Sequence, residues 1–189
     1  MKFAVVILFM LGTQSSFAAP AGSMETSAKW LLDPKLKDSN QFAWDQRSGP
    51  MLAAIVPDVN LKKQAKPDLK GIVQVDVMLP EDKQVIEGRY VIISGARPQQ
   101  ASTQGWIWID TKDGTGAFAL NECPTQSIYE GCILIGSKNF GPANLPEMLV
   151  LKLKSWIQAL PATSDGKASG TFSIYFIGRD RKPVPFQFK

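Results

Sequence analysis

Two runs of sequence constrain the fold more than any other: Arg89-Tyr90-Val91-Ile92-Ile93-Ser94-Gly95 and Trp106-Ile107-Trp108-Ile109-Asp110. Both are rich in β-branched and aromatic residues, which favour extended backbone. Successive side chains of a strand point to opposite faces. Here apolar residues occupy both sets of positions. Strands of this kind are either central strands covered on both faces or strands with one face against a helix.

Between the two runs lies Gly95-Ala96-Arg97-Pro98-Gln99-Gln100-Ala101-Ser102-Thr103-Gln104-Gly105. It is polar, bounded by glycines and stiffened by Pro98. It exceeds a two-residue hairpin turn, so it is expected to project from the sheet as a loop. Most loops only connect, and a solvated connection is one reading. The other is recognition, because Arg97, Gln99, Gln100 and Gln104 set a dense group of hydrogen-bond donors on a tip that Pro98 stiffens.

The remaining pattern supplies the partners of these strands. Gly49–Val56 reads as a short helix, with Pro50 tolerated in its first turn and Pro57 ending it. Gly71–Leu79 alternates apolar and polar residues and reads as a half-buried strand. Pro80-Glu81-Asp82-Lys83 then turns into a strand from Val85 to Gly95. Asp110 to Gly114 has the chemistry of a tight turn. Thr115–Leu120 and Ile133–Gly136 read as strands. Asn144 is placed to cap a helix that has Pro146 and Glu147 in its first turn. Leu149, Leu153, Trp156, Ile157 and Leu160 form one stripe, and Pro161 stops the helix. Thr171–Gly178 and Val184–Phe188 read as a closing hairpin, with Pro183 and Pro185 suiting its last strand to a sheet edge. The fold class is therefore α+β: a central antiparallel sheet with one amphipathic helix at about 145–160 packed on it, and a short N-terminal helix.

The first residues have the form of a secretory leader, with Lys2, an apolar run from Phe3 to Leu11, and Ser16-Phe17-Ala18 offering small residues for cleavage after Ala18. The expected organisation is a signal peptide over 1–18, an N-terminal arm over 19–45 and a single α+β domain over 46–189. No run is long enough to span a membrane. The two cysteines, Cys123 and Cys132, are expected to form a disulfide in an exported chain. That bond closes residues 123–132 into a ring worth roughly 2–3 kcal/mol in the chain-entropy model. The ring is either a local staple or a rigid loop presenting Ile128 and Tyr129 to a partner.

Chemistry is bounded mainly by exclusion. The chain has no histidine, which removes Ser-His-Asp and Cys-His catalysis and nearly all zinc sites. No glycine-rich loop fits a phosphate or a dinucleotide. Asp76, Glu81, Asp82 and Glu87 read as surface and turn charges. The net charge of +4 is modest, and Lys62, Lys63, Lys66 and Lys70 lack the aromatic interleaving of a nucleic-acid site. The expectation is a protein that is not an enzyme, needs no cofactor or metal and binds no nucleic acid. A homodimer stays open.

Residues 71–120, and the loop above all, resemble the Ivy family, periplasmic inhibitors of vertebrate-type lysozyme. In that family a strand leads into a short cysteine-closed loop holding a basic residue, a proline and a histidine, and then into a second strand. Here Ala96 and Ala101 stand at the cysteine positions, Arg97 at the basic residue, Pro98 at the proline and Gln99 at the histidine. The resemblance implies a periplasmic protein that plugs the cleft of a cell-wall hydrolase, of lysozyme or amidase type, with its loop. Its role would be that of an inhibitor or an immunity protein. Arg97, Pro98, Gln99 and Gln100 would make the contact, with Ile128 and Tyr129 as a second one. The competing expectations are an envelope structural or interaction module without inhibitory activity, and a histidine-free hydrolase using paired carboxylates.

Overall fold

The strands β1 (Gln84–Ile86), β2 (Tyr90–Arg97), β3 (Gln100–Asp110), β4 (Thr115–Leu120), β5 (Cys132–Gly136), β6 (Ser173–Ile177) and β7 (Pro183–Pro185) lie side by side in chain order. These elements come from a computed structural model that describes residues 28–59, 68–123, 131–160 and 172–188. Every neighbouring pair is antiparallel except β5 and β6, which run parallel. A parallel pair needs a crossover, and helix α4 (Glu147–Ala159) supplies it. Three shorter helices, α1 (Ser39–Trp44), α2 (Ser48–Ile55) and α3 (Leu69–Val75), precede the sheet in sequence. The molecule is thus α+β, with helices on both faces of a mostly antiparallel sheet.

Strand alternation divides the core in two. On one face Val91, Ile93, Ile107, Ile109, Phe118 and Leu120 meet Phe42, Leu52, Ile55, Leu69 and Val73 from α1 to α3. On the other, Ile92, Trp106, Trp108, Ile133 and Ile135 meet Leu149, Leu153 and Ile157 of α4. Burying each large side chain contributes about 1.5–3 kcal/mol, so both faces matter to stability. The indoles fit because β4 makes room: Trp106 pairs with Ala119 and Trp108 with Ala117. Trp106 then packs on Trp156 of α4 with ring centroids 6.4 Å apart, and Trp108 stacks on Tyr90 at 5.2 Å.

The segment expected to be an arm contributes to this core from Ala28 onward. A 3-10 turn at Lys29–Leu32 and helix α1 bury Ala28, Leu31 and Phe42 completely. The Asp38 carboxylate accepts from Gln41 N at 2.8 Å and caps α1. Lys83 Nζ donates to the Leu31 and Asp33 carbonyls at 2.7 and 2.8 Å. The leader at 1–18, Lys62, Lys63, Lys66, Ile128 and Tyr129 lie outside the described residues.

Four sequence-based expectations about the elements need correction. Gly71–Leu79 is not a strand, since Leu69–Val75 is helical. The Asp68 carboxylate accepts from Gly71 N at 2.7 Å, and Leu69, Ile72 and Val73 bury one side at helical spacing. The valines that mimic a strand period are tolerated in a helix when packing selects it. The strand expected from Val85 to Gly95 is a hairpin, β1–β2, because Glu87 and Gly88 both take left-handed φ (53° and 62°). Two such residues in succession match the right-handed twist of the flanking strands. Asn144 does not cap α4: Pro146 holds that position, and Asn144 Oδ1 accepts from Gly141 N at 2.6 Å. The long loop from Gly95 to Gly105 is mostly strand, as described next.

Candidate functional site

Strand β2 continues to Arg97 and β3 resumes at Gln100, so the loop shrinks to a turn at Pro98-Gln99. Gln99 adopts φ +66°, which non-glycine residues seldom do. The register explains where the other residues go. Ala96 faces Gln104 while Arg97 faces Gln100, so one step along β2 spans four along β3. Ala101, Ser102 and Thr103 form the resulting bulge. Asn121 pins it: its Nδ2 donates to the Ser102 carbonyl at 2.6 Å, and its Oδ1 accepts from Gln104 N at 2.7 Å. Gln99, Gln100, Ala101 and Ser102 are exposed.

Two glycines let another segment cross beneath this tip. The chain from Asp76 to Leu79 lies over β2 and β3, with Gly105 N donating to the Asp76 carbonyl at 2.9 Å and Leu79 N to the Ala96 carbonyl at 2.8 Å. A Cβ on Gly95 would lie 2.6 Å from the Leu79 carbonyl oxygen and 2.8 Å from that of Val77. Only glycine permits that approach.

The crossing sets Asp76 under Arg97. Arg97 Nε donates to Asp76 Oδ1 at 2.7 Å, its Nη2 to Glu122 Oε1 at 2.6 Å and its Nη1 to Gln100 Oε1 at 3.0 Å. Asp76 is 0% exposed, and its second oxygen, Oδ2, has no hydrogen-bond partner among the described residues. Burial pushes this carboxyl up to about 7; the Arg97 bond opposes the rise and the Glu122 charge adds to it. Burial works against the Arg97 charge, but its bonds to Asp76 and Glu122 prevail and hold the guanidinium above its ordinary range.

Of the residues singled out from sequence, Arg97, Pro98, Gln99 and Gln100 share the tip. Arg97 turns inward to hold the tip. Cys123 and Cys132 are bonded, with Cα atoms 5.9 Å apart, and both are buried. Cys123 follows Glu122 directly, so the staple and the cluster share one end of the sheet. Asp76, expected at the surface, is instead the most buried member of the cluster. Glu122 and Asn121 were not singled out. One signal was present for Asp76: a lone acid between Val75 and Val77 in an apolar run needs a cation, and Arg97 is one.

The other end of the sheet is held by a separate ion pair. Arg89 Nε donates to Asp110 Oδ1 at 2.8 Å, with a second bond from Nη2 to Oδ2. Burial raises the Asp110 pKa, but Arg89 and backbone donors outweigh it and hold the carboxyl below its ordinary range. A groove of about 730 Å³ runs between α4 and the residues after β7, walled by Leu145, Val150, Leu151, Phe186 and Phe188. Among the described residues no three His, Cys, Asp or Glu side chains are grouped as metal ligands. Asp76 and Glu122 share one guanidinium, but Asp76 has no exposure through which a substrate could reach it. No protein-family model, curated protein or solved structure matches the chain.

Proposed function

We propose that this is an exported, periplasmic protein that binds and neutralises a cell-wall-degrading enzyme of lysozyme or amidase type, as an inhibitor or an immunity protein. The β2–β3 tip is the inserting element. The observation that carries the reading is how firmly an exposed, polar turn is held. Gln99 sits in a left-handed conformation at the apex, above Arg97 bonded to two acids and a bulge pinned by Asn121. Strained, over-determined backbone at an exposed tip supports a binding role. A tip ordered before binding loses less entropy on binding. The side-chain amides of Gln99 and Gln100 can donate to carboxylates in a hydrolase cleft. Arg97 acts from below, fixing the tip. The apolar run at Phe3–Leu11, the small residues to Ala18 and the bonded cysteine pair support export.

The test mixes the purified chain with a vertebrate-type lysozyme and with a bacterial amidase, and follows lysis of cell-wall suspensions. The wild type should inhibit at least one of them stoichiometrically. Gln99→Ala should weaken that inhibition about tenfold or more, the loss of one well-placed hydrogen bond to a charged group. Inhibition unchanged in Gln99→Ala removes the tip from the contact, and no inhibition of either enzyme class overturns the reading. The groove beside α4 favours one second reading, an envelope-interaction module whose contact is that apolar wall. Leu151→Asp would then abolish envelope association and leave lysis unaffected.

A further inference from the structure

We infer that Asp76 is a proton-binding positioning residue for the β2–β3 tip: gain or loss of one proton at its carboxyl changes the grip on Arg97 and, through it, the exposed turn. This deepens the reading above, which makes the tip the contact surface.

The geometry supplies each link. Asp76 has no exposure, one oxygen bound to Arg97 Nε and one without a partner among the described residues. Among the described residues, the charges that act on it are Arg97 from β2 and Glu122 just past the end of β4; α1, α3 and β3 bring none. With both acids ionised, one guanidinium faces two carboxylates, and the cluster carries a net charge of −1, with the Asp76 carboxylate shut away from water. A proton on Asp76 brings that charge to zero and leaves Arg97 to pair with Glu122 alone. Burial and the Glu122 charge both favour that proton, and they place its midpoint at about 7. Arg97 directly precedes the Pro98-Gln99 turn and also holds the Gln100 side chain, so a change in its pairing is passed to the tip. The chain has no histidine, and both cysteines are bonded. The side chains that usually titrate near neutrality are therefore missing, and Asp76→Asn separates the Asp76 signal from that of the α-amino group.

The experiment is a pH series of amide NMR spectra on the intact chain alone, from about pH 5 to 8.5, the span that brackets a carboxyl raised by burial. The backbone amides of Gln99, Gln100 and Ser102 should follow one titration with a midpoint at about 7. That titration should vanish in Asp76→Asn. In Glu122→Gln it should move to lower pH, since the charge that favours the proton is gone. Carboxyl-carbon shifts of Asp76 in the wild type give the midpoint directly, so an Asp76→Asn chain that fails to fold leaves the test intact. Tip amides that stay flat across the series overturn the inference. So does a titration that survives Asp76→Asn, or one whose midpoint ignores Glu122→Gln. No target enzyme is needed, so this result and a failure to inhibit any hydrolase are read separately.

Discussion

A carboxyl group shut away from water holds its proton to higher pH than it would in an unfolded chain, and Asp76 ties stability to pH in that sense. Its folded pKa is raised from 3.8 to about 7. Between those values the folded state binds more protons than the unfolded one, so stability falls as pH rises. The contribution is fully present below the unfolded value and is lost by the time pH passes the folded one. At about 1.4 kcal/mol per unit it reaches at most about 4 kcal/mol. Urea unfolding should thus show a weaker wild type at about pH 8 than at about pH 5, with most of the difference gone in Asp76→Asn. Equal wild-type midpoints at the two pH values would contradict the burial that causes the shift. Asp110 acts with the opposite sign. Arg89 and backbone donors depress its pKa, so its contribution is present above the ordinary carboxyl range and is lost as pH falls through the depressed value. Asp110→Asn should cost about 1–3 kcal/mol near neutrality, the range for a broken buried hydrogen bond, and should flatten the acid limb of the unfolding curve. Gly95→Ala tests the crossing segment: the new Cβ meets two backbone carbonyl oxygens, which cannot turn aside. A loss of at least about 1–3 kcal/mol is expected, read as a lower thermal midpoint.

Among the elements, α4 was legible because its stripe is long and its environment simple. Leu149, Leu153, Ile157 and Leu160 are buried as their spacing implies, and Trp156 reaches Trp106. Leu153→Ala should cost about 2–5 kcal/mol in denaturant unfolding, whereas Leu151→Ala, at a residue 60% exposed, should change the unfolding free energy by less than about 0.5 kcal/mol. The double-sided apolar character of β2 and β3 was equally plain; it left open cover on both faces or on one, and the two clusters show cover on both. The failures share a cause. In α3 a short helix and a strand offer the same few apolar residues, and the cap at Asp68 and the packing on Leu69 and Val73 decide between them. The split of β1 from β2 hangs on two left-handed residues, one of them a glutamate, which carries no strong turn signal. The tip was located correctly as a place. Its real shape depends on a bulge that only pairing across the sheet and Asn121 define. The Asp76 cluster was the least visible, because its three members are 21 and 25 residues apart in sequence as paired through Arg97.

For the whole molecule, residues 28–45 contribute to the core. Leu31 and Phe42 are fully buried against the same face as Leu52 and Ile55. Burial of two large side chains is worth about 3–6 kcal/mol, comparable with the net stability of many domains, about 5–15 kcal/mol. A chain starting at Gln46 should therefore lose its cooperative thermal transition, while one starting at Ala28 should keep it. A sharp transition in the shorter chain, within a few degrees of the longer one, would show that α1 is dispensable. The order of the strands has one more consequence, for assembly. Because β1 to β7 stand in the sheet as they stand in the chain, a polypeptide delivered N-terminus first always adds its next strand to a neighbour already laid down. The growth front moves steadily in one direction. It never has to hold an edge open for a strand still to come from far along the chain. The least local joint between neighbouring strands is the parallel one between β5 and β6, and non-local pairing is the slower kind to close. There α4 lies between them in sequence, so the helix that covers the joint reaches the growing sheet before the strand that completes it.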